Sequence, residues 1–292
     1  MKIDNVKISQ IEKILNNKKI INSKLLSNSF GIDCIKITLE NNNNFIVKYY
    51  HNKNFKFNAI KSESKNLLFL NKSNLKFFPK IFSNSENFLI MSFIENDGLQ
   101  PSETKNDFLN AVVTMHSLSS KYYGFKFDTQ IGGLKQININ NDNWVEFYKN
   151  YRLGYIYDLI NYSQPMERSI NLKIDLLINK LEDFIPANPK PSLLHGDLWE
   201  GNILFNKKKF VGFIDPGSFY GHNELEIAYL KWFNPMFIKN QFLEKYNSYI
   251  NIDKEYLNYE PIYQLYYSLL NVHLWDRSYL ADVKRLLNKI KI

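Results

Sequence analysis

The chain has 292 residues, 45% of them apolar and 15% aromatic, with 37 basic against 29 acidic side chains and a formal charge of +8. That aromatic content excludes a disordered chain, and the length allows two lobes, each with its own core. No run approaches the roughly 18 apolar residues of a membrane span, the N-terminus lacks an apolar leader stretch, and a single Cys permits no internal disulfide, so a soluble, cytoplasmic protein is expected.

The lysines are scattered among asparagines and isoleucines, as at Lys18-Lys19 and Lys207-Lys208-Lys209, without a basic arm. This reads as a chain-wide bias, so neither nucleic acid nor a membrane is expected as partner. A phosphate-bearing small ligand suits the charge equally well.

In chain order, Ile32 to Leu39 alternates β-branched and polar residues, Glu40 to Asn44 turns, and Phe45-Ile46-Val47-Lys48-Tyr49-Tyr50 returns, which predicts a hairpin. Phe57 to Leu70 spaces Ile60, Leu67 and Leu68 as on a helix, with Glu63 inside it. Pro79 to Ile81 and Phe88 to Phe93 read as short strands, and Asn96-Asp97-Gly98 as a linker. Helices follow over Phe108–Leu118, Trp144–Ile160 and Ile170–Phe184, then a proline-rich break at 185–191. Ser192-Leu193-Leu194 and Phe210 to Ile214 read as strands, each ending in an acidic loop, and helices resume from Glu224. The expectation is an α+β, two-lobe fold: a small β-rich lobe over 1–95 and a larger, mainly helical lobe over 96–292.

The acidic loops carry the chemistry. Phosphoryl transfer from a nucleotide needs a carboxylate beside the acceptor hydroxyl and an oxygen ligand for Mg²⁺. His195-Gly196-Asp197-Leu198-Trp199-Glu200-Gly201-Asn202 offers an Asp and an Asn from one loop, at the spacing of the kinase pattern H-R-D-L-x-x-x-N. Taken alone, it would also fit a surface turn. Phe213-Ile214-Asp215-Pro216-Gly217 follows an apolar strand, where a kinase presents its second metal-binding Asp. By itself Asp215 would equally be a helix cap or turn residue. Lys48 ends the run Phe45-Ile46-Val47-Lys48, similar to V-A-I-K, and Glu63 on the next helix is placed to hold it. Either charge in isolation would be a solvated one. Together, strand Lys, helix Glu, hinge, catalytic Asp and metal Asp come in kinase order.

From Phe45 onward the chain resembles the fructosamine kinase (ketosamine-3-kinase) family, a branch of the aminoglycoside-phosphotransferase-like kinases with a protein-kinase-like fold. The resemblance is carried by Leu193 to Asn202 and by Asp215-Pro216-Gly217-Ser218-Phe219-Tyr220-Gly221-His222, similar to that family's D-P-x-x-Y-Y-G-H. It extends through Met115-His116, Asn143 to Tyr148, Arg152-Leu153 and Pro261 to Tyr266. It implies ATP and Mg²⁺ as cofactors, with Asp197 as catalytic base and Asn202 and Asp215 on the metal. Lys48 and Glu63 would position the phosphates, and Ser92, Phe93 and Ile94 would form the adenine hinge, with Met91 beside it. Trp199, Glu200, Tyr220 and His222 are expected on the substrate, a small-molecule or protein-bound ketosamine.

Departures from the family pattern are visible. The segment from Ser27 to Cys34 keeps only Gly31 of a Gly-rich phosphate loop, and Asp33 adds a negative charge there. Glu200 stands where a small residue is usual, and Glu226 where Asp is usual. Cys34 falls where some members carry a Cys that cross-links two subunits, so either a monomer or a homodimer is expected. The leading function is an ATP-dependent ketosamine 3-kinase in deglycation. The alternatives are an aminoglycoside- or choline-type phosphotransferase of the same fold, or a nucleotide-binding pseudokinase.

Overall fold

The computed structural model describes residues 5–50, 56–238 and 241–291, so residues 1–4 of the stretch read for a leader lie outside it. Helix α1 (Asn5–Ile14) precedes a five-stranded antiparallel sheet of β1 (Ile20–Ser29), β2 (Ile32–Leu39), β3 (Asn44–Tyr50), β4 (Ile81–Asn84) and β5 (Phe88–Ser92). The spatial order is β1-β2-β3-β5-β4, which makes β3 the central strand. Helix α2 (Ala59–Lys72) crosses from β3 to β4, capped by the Asn58 side chain accepting from the Lys61 N–H.

Alternation along the strands divides the side chains between two faces. Phe45, Val47 and Tyr49 of β3 join Ile35, Ile37 and Leu39 of β2 under Ile11 of α1 and Leu15 just past its end. Ile46 and Tyr50 point the other way, into a core shared with Ile60, Leu67 and Leu70 of α2. Each fully buried aliphatic side chain here contributes about 1.5–3 kcal/mol. Lys48, between Ile46 and Tyr50, is a charge on this second, buried face.

The rest of the chain is mainly helical. It contains α3 (Asn106–Ser117), the hairpin β6 (Thr129–Ile131) and β7 (Leu134–Gln136), α4 (Trp144–Tyr148), α5 (Gly154–Ser163) and α6 (Arg168–Asn179). Then come β8 (Pro191–Leu194), β9 (Ile203–Asn206), β10 (Lys209–Phe213) and β11 (Phe219–His222). The chain continues with α7 (Asn223–Phe233), α8 (Phe242–Asn247), α9 (Tyr256–Leu274) and α10 (Leu280–Leu287). Strand β8 pairs with β11 and β9 with β10, so the two acidic loops emerge side by side. Beneath them Phe77, Phe78, Phe108 and Phe210 pack around Phe213, and His195 stacks on Phe78 at 5.7 Å.

Four elements differ from the sequence expectation. Strand β1 has an almost wholly exposed pattern at the sheet edge, so its sequence shows no alternation to read. Helix α1 buries Ile11, and Leu15 is buried just beyond its end, a four-residue spacing that a helical reading would have caught. The helix expected over Trp144–Ile160 opens into a wide turn at Lys149–Leu153, which sets Arg152 fully inside the lobe. There Arg152 lies 3.9 Å over the Phe219 ring and donates to Asn138 Oδ1. Hairpin β6–β7 has strands of only three residues each, too short to show alternation in the sequence.

Candidate active site

The sheet and the helical half meet at Lys48. Its Nζ donates to both oxygens of Glu63 at 2.8 and 2.9 Å and to Asp215 Oδ1 at 2.6 Å. Burial works to strip the Lys48 proton, but the Asp215 and Glu63 carboxylates outweigh it and hold the ammonium above the usual lysine range. Burial likewise pushes the Glu63 carboxyl up while Lys48 pulls it back. Removing either partner of such a buried pair would strand the other charge, at a cost of about 3–5 kcal/mol. Asp215 adopts a left-handed backbone, φ +56°, an uncommon state for a non-glycine residue that turns its side chain back toward the cleft strand.

Asp197 lies across the cleft from Lys48. The Asn202 amide donates to its backbone oxygen at 2.8 Å and to Oδ2 at 3.2 Å. The Tyr229 hydroxyl donates to Oδ1 at 3.3 Å. Burial, followed by the charge of Asp215, pushes the Asp197 carboxyl up to about 7, the range in which a general base works best at neutral pH. The loop backbone is held by Glu226, which accepts from the His195 and Gly196 N–H groups at 3.0 and 2.7 Å and from His116 Nε2 at 2.9 Å. Burial opposes ionisation of Glu226, but His116 and those backbone donors keep it below the ordinary carboxylate range. The longer Glu at this position thus makes three hydrogen bonds inside the lobe.

Two cavities meet at Asp197. One, of about 320 Å³, lies between the lobes and is lined by Lys48, Glu63, Asn202, Asp215, Cys34 and the β1–β2 tip. The other, of about 230 Å³, lies within the helical lobe. Its walls are Trp199, Tyr229, Phe233, Trp275, Tyr279, Ile131, Leu270 and Leu274, with Asn271 and Asp197 as polar members. Asp197, Trp199, Gly132 and Trp275 line both cavities. Above them, Phe30 of the β1–β2 turn packs edge-on against Trp275 at 5.1 Å, which ties the sheet to the end of α9.

The structure brings together Lys48, Glu63, Asp197, Asn202, Asp215 and Trp199. Other expected site residues fall elsewhere. Gly31 forms the β1–β2 turn with Phe30, both at positive φ (+74° and +52°), and lines neither cavity. Met91 is buried in β5, Ser92 accepts from the Lys80 N–H, Phe93 lies under Lys36 at 3.8 Å, and Ile94 abuts Gly212. None of these four lines either cavity. Glu200 is half-buried in a tight turn at 200–202, outside both cavity walls.

Tyr220 and His222 correct the expectation of substrate contact. Strand β11 carries them away from Asp215 along β8: Tyr220 pairs with Leu193 and His222 with Pro191. Tyr220 packs against Phe125, and His222 is buried with its Nδ1 2.8 Å from the Tyr263 hydroxyl. Asp33, expected to face the phosphates, instead sits buried in the hairpin, where Asn28 Nδ2 donates to it at 2.8 Å. Site residues missed in the sequence are Tyr229, Asn271 and Trp275, along with Gln130 to Gly133 of the β6–β7 hairpin. They reach the cleft from separate helices and a hairpin, with no local motif to mark them.

A cleft between an antiparallel sheet and a helical lobe, with a buried Lys–Glu pair above two acidic loops, defines a phosphotransferase of protein-kinase-like fold. The description "Fructosamine kinase" fits the family model that matches residues 6–292, and the chain belongs to that family. It is 28% identical over 239 residues to a protein named probable ketoamine kinase PM0587 from Pasteurella multocida, covering 79% of this chain and 80% of that one. It is 31% identical over 208 residues to the protein-ribulosamine 3-kinase of Arabidopsis thaliana, covering 69% and 61% respectively. The crystal structure assigned to a fructosamine-3-kinase of Thermobifida fusca superposes with a TM-score of 0.86 at 19% identity over 98% of each chain.

Proposed function

We propose that this protein is an ATP-dependent ketosamine 3-kinase that uses Mg²⁺ and works in the cytoplasm. The observation that carries this reading is Asp197 on the common wall of a polar inter-lobe cavity and an aromatic one. ATP occupies the first, its phosphates against Lys48, which Glu63 orients, and beneath the turn at Gly31. Its adenine extends past the lining of that cavity to the backbone of Ser92, Phe93 and Ile94, with Met91 behind.

Asn202 and Asp215 suit Mg²⁺, which favours oxygen ligands and takes only one or two protein carboxylates. The Asn202 nitrogen is engaged by Asp197, which turns its amide oxygen to the other side. When bound, the ion neutralises charge on the phosphate oxygens. Asp197 takes the proton from the acceptor hydroxyl, whose oxygen bonds to the γ-phosphorus as the bond to the bridging oxygen breaks and ADP leaves.

The aromatic cavity selects the acceptor. Asp197 is the one charged side chain among its described lining residues. A ketosamine brings one ammonium, which a single carboxylate and the faces of Trp199 and Trp275 accommodate. A polycationic aminoglycoside would bury further charges without partners, at several kcal/mol each. A volume of about 230 Å³ favours the five-carbon ribulosamine over the larger fructosamine. The relatives named ketoamine kinase and protein-ribulosamine 3-kinase support the same class. The presence of Lys48, Glu63, Asp197, Asn202 and Asp215 supports turnover over nucleotide binding alone.

The test is ADP release with Mg-ATP and a panel of ribulosamine, fructosamine and an aminoglycoside. The expected order of kcat/KM is the order of that list. A tenfold preference for the aminoglycoside, about 1.4 kcal/mol of transition-state binding, would overturn the reading.

A further inference from the structure

We infer that Tyr229 is a positioning residue for phosphoryl transfer, its hydroxyl holding Asp197 in the orientation from which that carboxylate receives the acceptor proton. The inference rests on the kinase reading above and adds to it a group outside both acidic loops.

The terminal torsion of an Asp side chain is broad, so one hydrogen bond to one oxygen leaves the carboxylate free to swing. Here each oxygen has its own donor: Asn202 Nδ2 on Oδ2 at 3.2 Å and the Tyr229 hydroxyl on Oδ1 at 3.3 Å. These donors belong to different elements, the loop itself and α7. The second distance is long for an O–H···O contact, as catalytic hydrogen bonds are before the reactants tighten them.

Tyr229 is itself held rigidly. It is 5% exposed, and its ring lies parallel to Tyr267 of α9, 3.6 Å between centroids and 6° between planes. Phe233 closes on it edge-to-face at 5.3 Å. A buried tyrosine hydroxyl requires a partner, and among the described residues Asp197 supplies it.

The placement on α7 adds a second argument. Tyr229 follows Glu226 by three residues, so the two share one helix face. Glu226 grips the backbone of His195 and Gly196, and one turn later Tyr229 grips the carboxylate of the next residue, Asp197. Helix α7 therefore sets both the path of the loop and the aim of its base. Because Tyr229 also walls the aromatic cavity, the acceptor must approach Asp197 alongside this hydroxyl.

The experiment compares the wild type with Tyr229→Phe, which keeps the stacked ring and removes only the hydroxyl. We expect kcat on the preferred acceptor to fall about tenfold, some 1.4 kcal/mol, with KM for ATP and for the acceptor within about twofold. A residue that merely packs would leave kcat unchanged. A thermal-melt cycle with Asp197→Ala reads the bond without turnover: Tyr229→Phe should lower Tm in the wild-type background and not in Asp197→Ala. Unchanged kcat, or equal Tm shifts in both backgrounds, would overturn the inference. A wild type inactive on every ketosamine would sink the functional reading instead, while the melt cycle still decides whether the hydroxyl holds the carboxylate.

Discussion

Lys48 ties the two halves of the molecule through one nitrogen, which reaches Glu63 on α2 and Asp215 beyond β10. That single atom explains how Glu63 tolerates burial while Asp215, 39% exposed at the cleft, stays beside it: each carboxylate is offset by the same charge, and the charge by both. Asp197 has no such cation and keeps a raised affinity for protons, which suits the proposed role of general base. Replacing Asp197 with Asn should lower kcat at least about a hundredfold while ATP affinity stays near normal. On the proposed role of Asp215 as a metal ligand, replacing it with Ala should abolish turnover at any Mg²⁺ concentration, because added metal cannot restore a lost charged ligand. Initial rates across a Mg²⁺ titration, with ATP binding measured separately, check both. Near-normal turnover in either variant would move the chemistry elsewhere.

At the scale of elements, the two acidic loops are locked backbone to backbone. Gly196 has φ +86°, and a Cβ there would come 2.2 Å from the Gly217 carbonyl oxygen. The Gly217 N–H in turn donates to the His195 oxygen at 2.9 Å. Gly196→Ala should therefore separate the loops, with activity lost and stability reduced by about 1–3 kcal/mol. Full activity with an unchanged melting curve would contradict this contact.

The far end of β11 makes a different prediction. Trp144 Nε1 donates to the Tyr263 hydroxyl at 2.8 Å, leaving that hydroxyl's proton for His222 Nδ1 at 2.8 Å, while Nε2 lies 3.6 Å from Glu224 Oε2. Burial lowers the His222 pKa to about 3, from 6.5 in an unfolded chain. Between those values the unfolded state binds one more proton, so stability is fully present above pH 6.5 and drains away as pH falls toward 3. His195, lowered by burial, acts in the same direction, while buried Glu224, raised, opposes it at lower pH. Asp197 and Glu63, both raised to about 7, push the other way over the same range, so the His222 contribution is read by difference: between pH 7 and 5 the wild-type melting temperature should fall relative to that of His222→Asn. An identical slope in the variant would show that the imidazole is charged in the fold.

For the molecule as a whole, the lobes meet over a cleft that Cys34 lines. Burial pushes its thiol up to about 11, so the reactive thiolate is scarce at neutral pH. Mild oxidation should produce no thiol-dependent dimer. A non-reducing gel beside Cys34→Ser decides, and a dimer absent only in the Ser variant would establish a redox cross-link.

The sequence by itself determined those parts whose signals are local. Lys48 follows an apolar run inside a strand, Glu63 falls within a helical repeat, and Asp197, Asn202 and Asp215 stand in short loops beside strands. Their order along the chain was enough to read two lobes and a phosphoryl-transfer cleft. Adjacency in sequence misled at Tyr220 and His222: an extended strand rises about 3.3 Å per residue, and β11 leads away from Asp215 rather than along the pocket. Only tertiary structure decided the acceptor side. Tyr229 arrives from α7, Asn271 from α9, Trp275 from just beyond it and Gly132 from the β6–β7 turn. Each carries an ordinary helical or turn pattern, because what places it at the site is the packing of its element, and packing leaves no mark in the residues on either side.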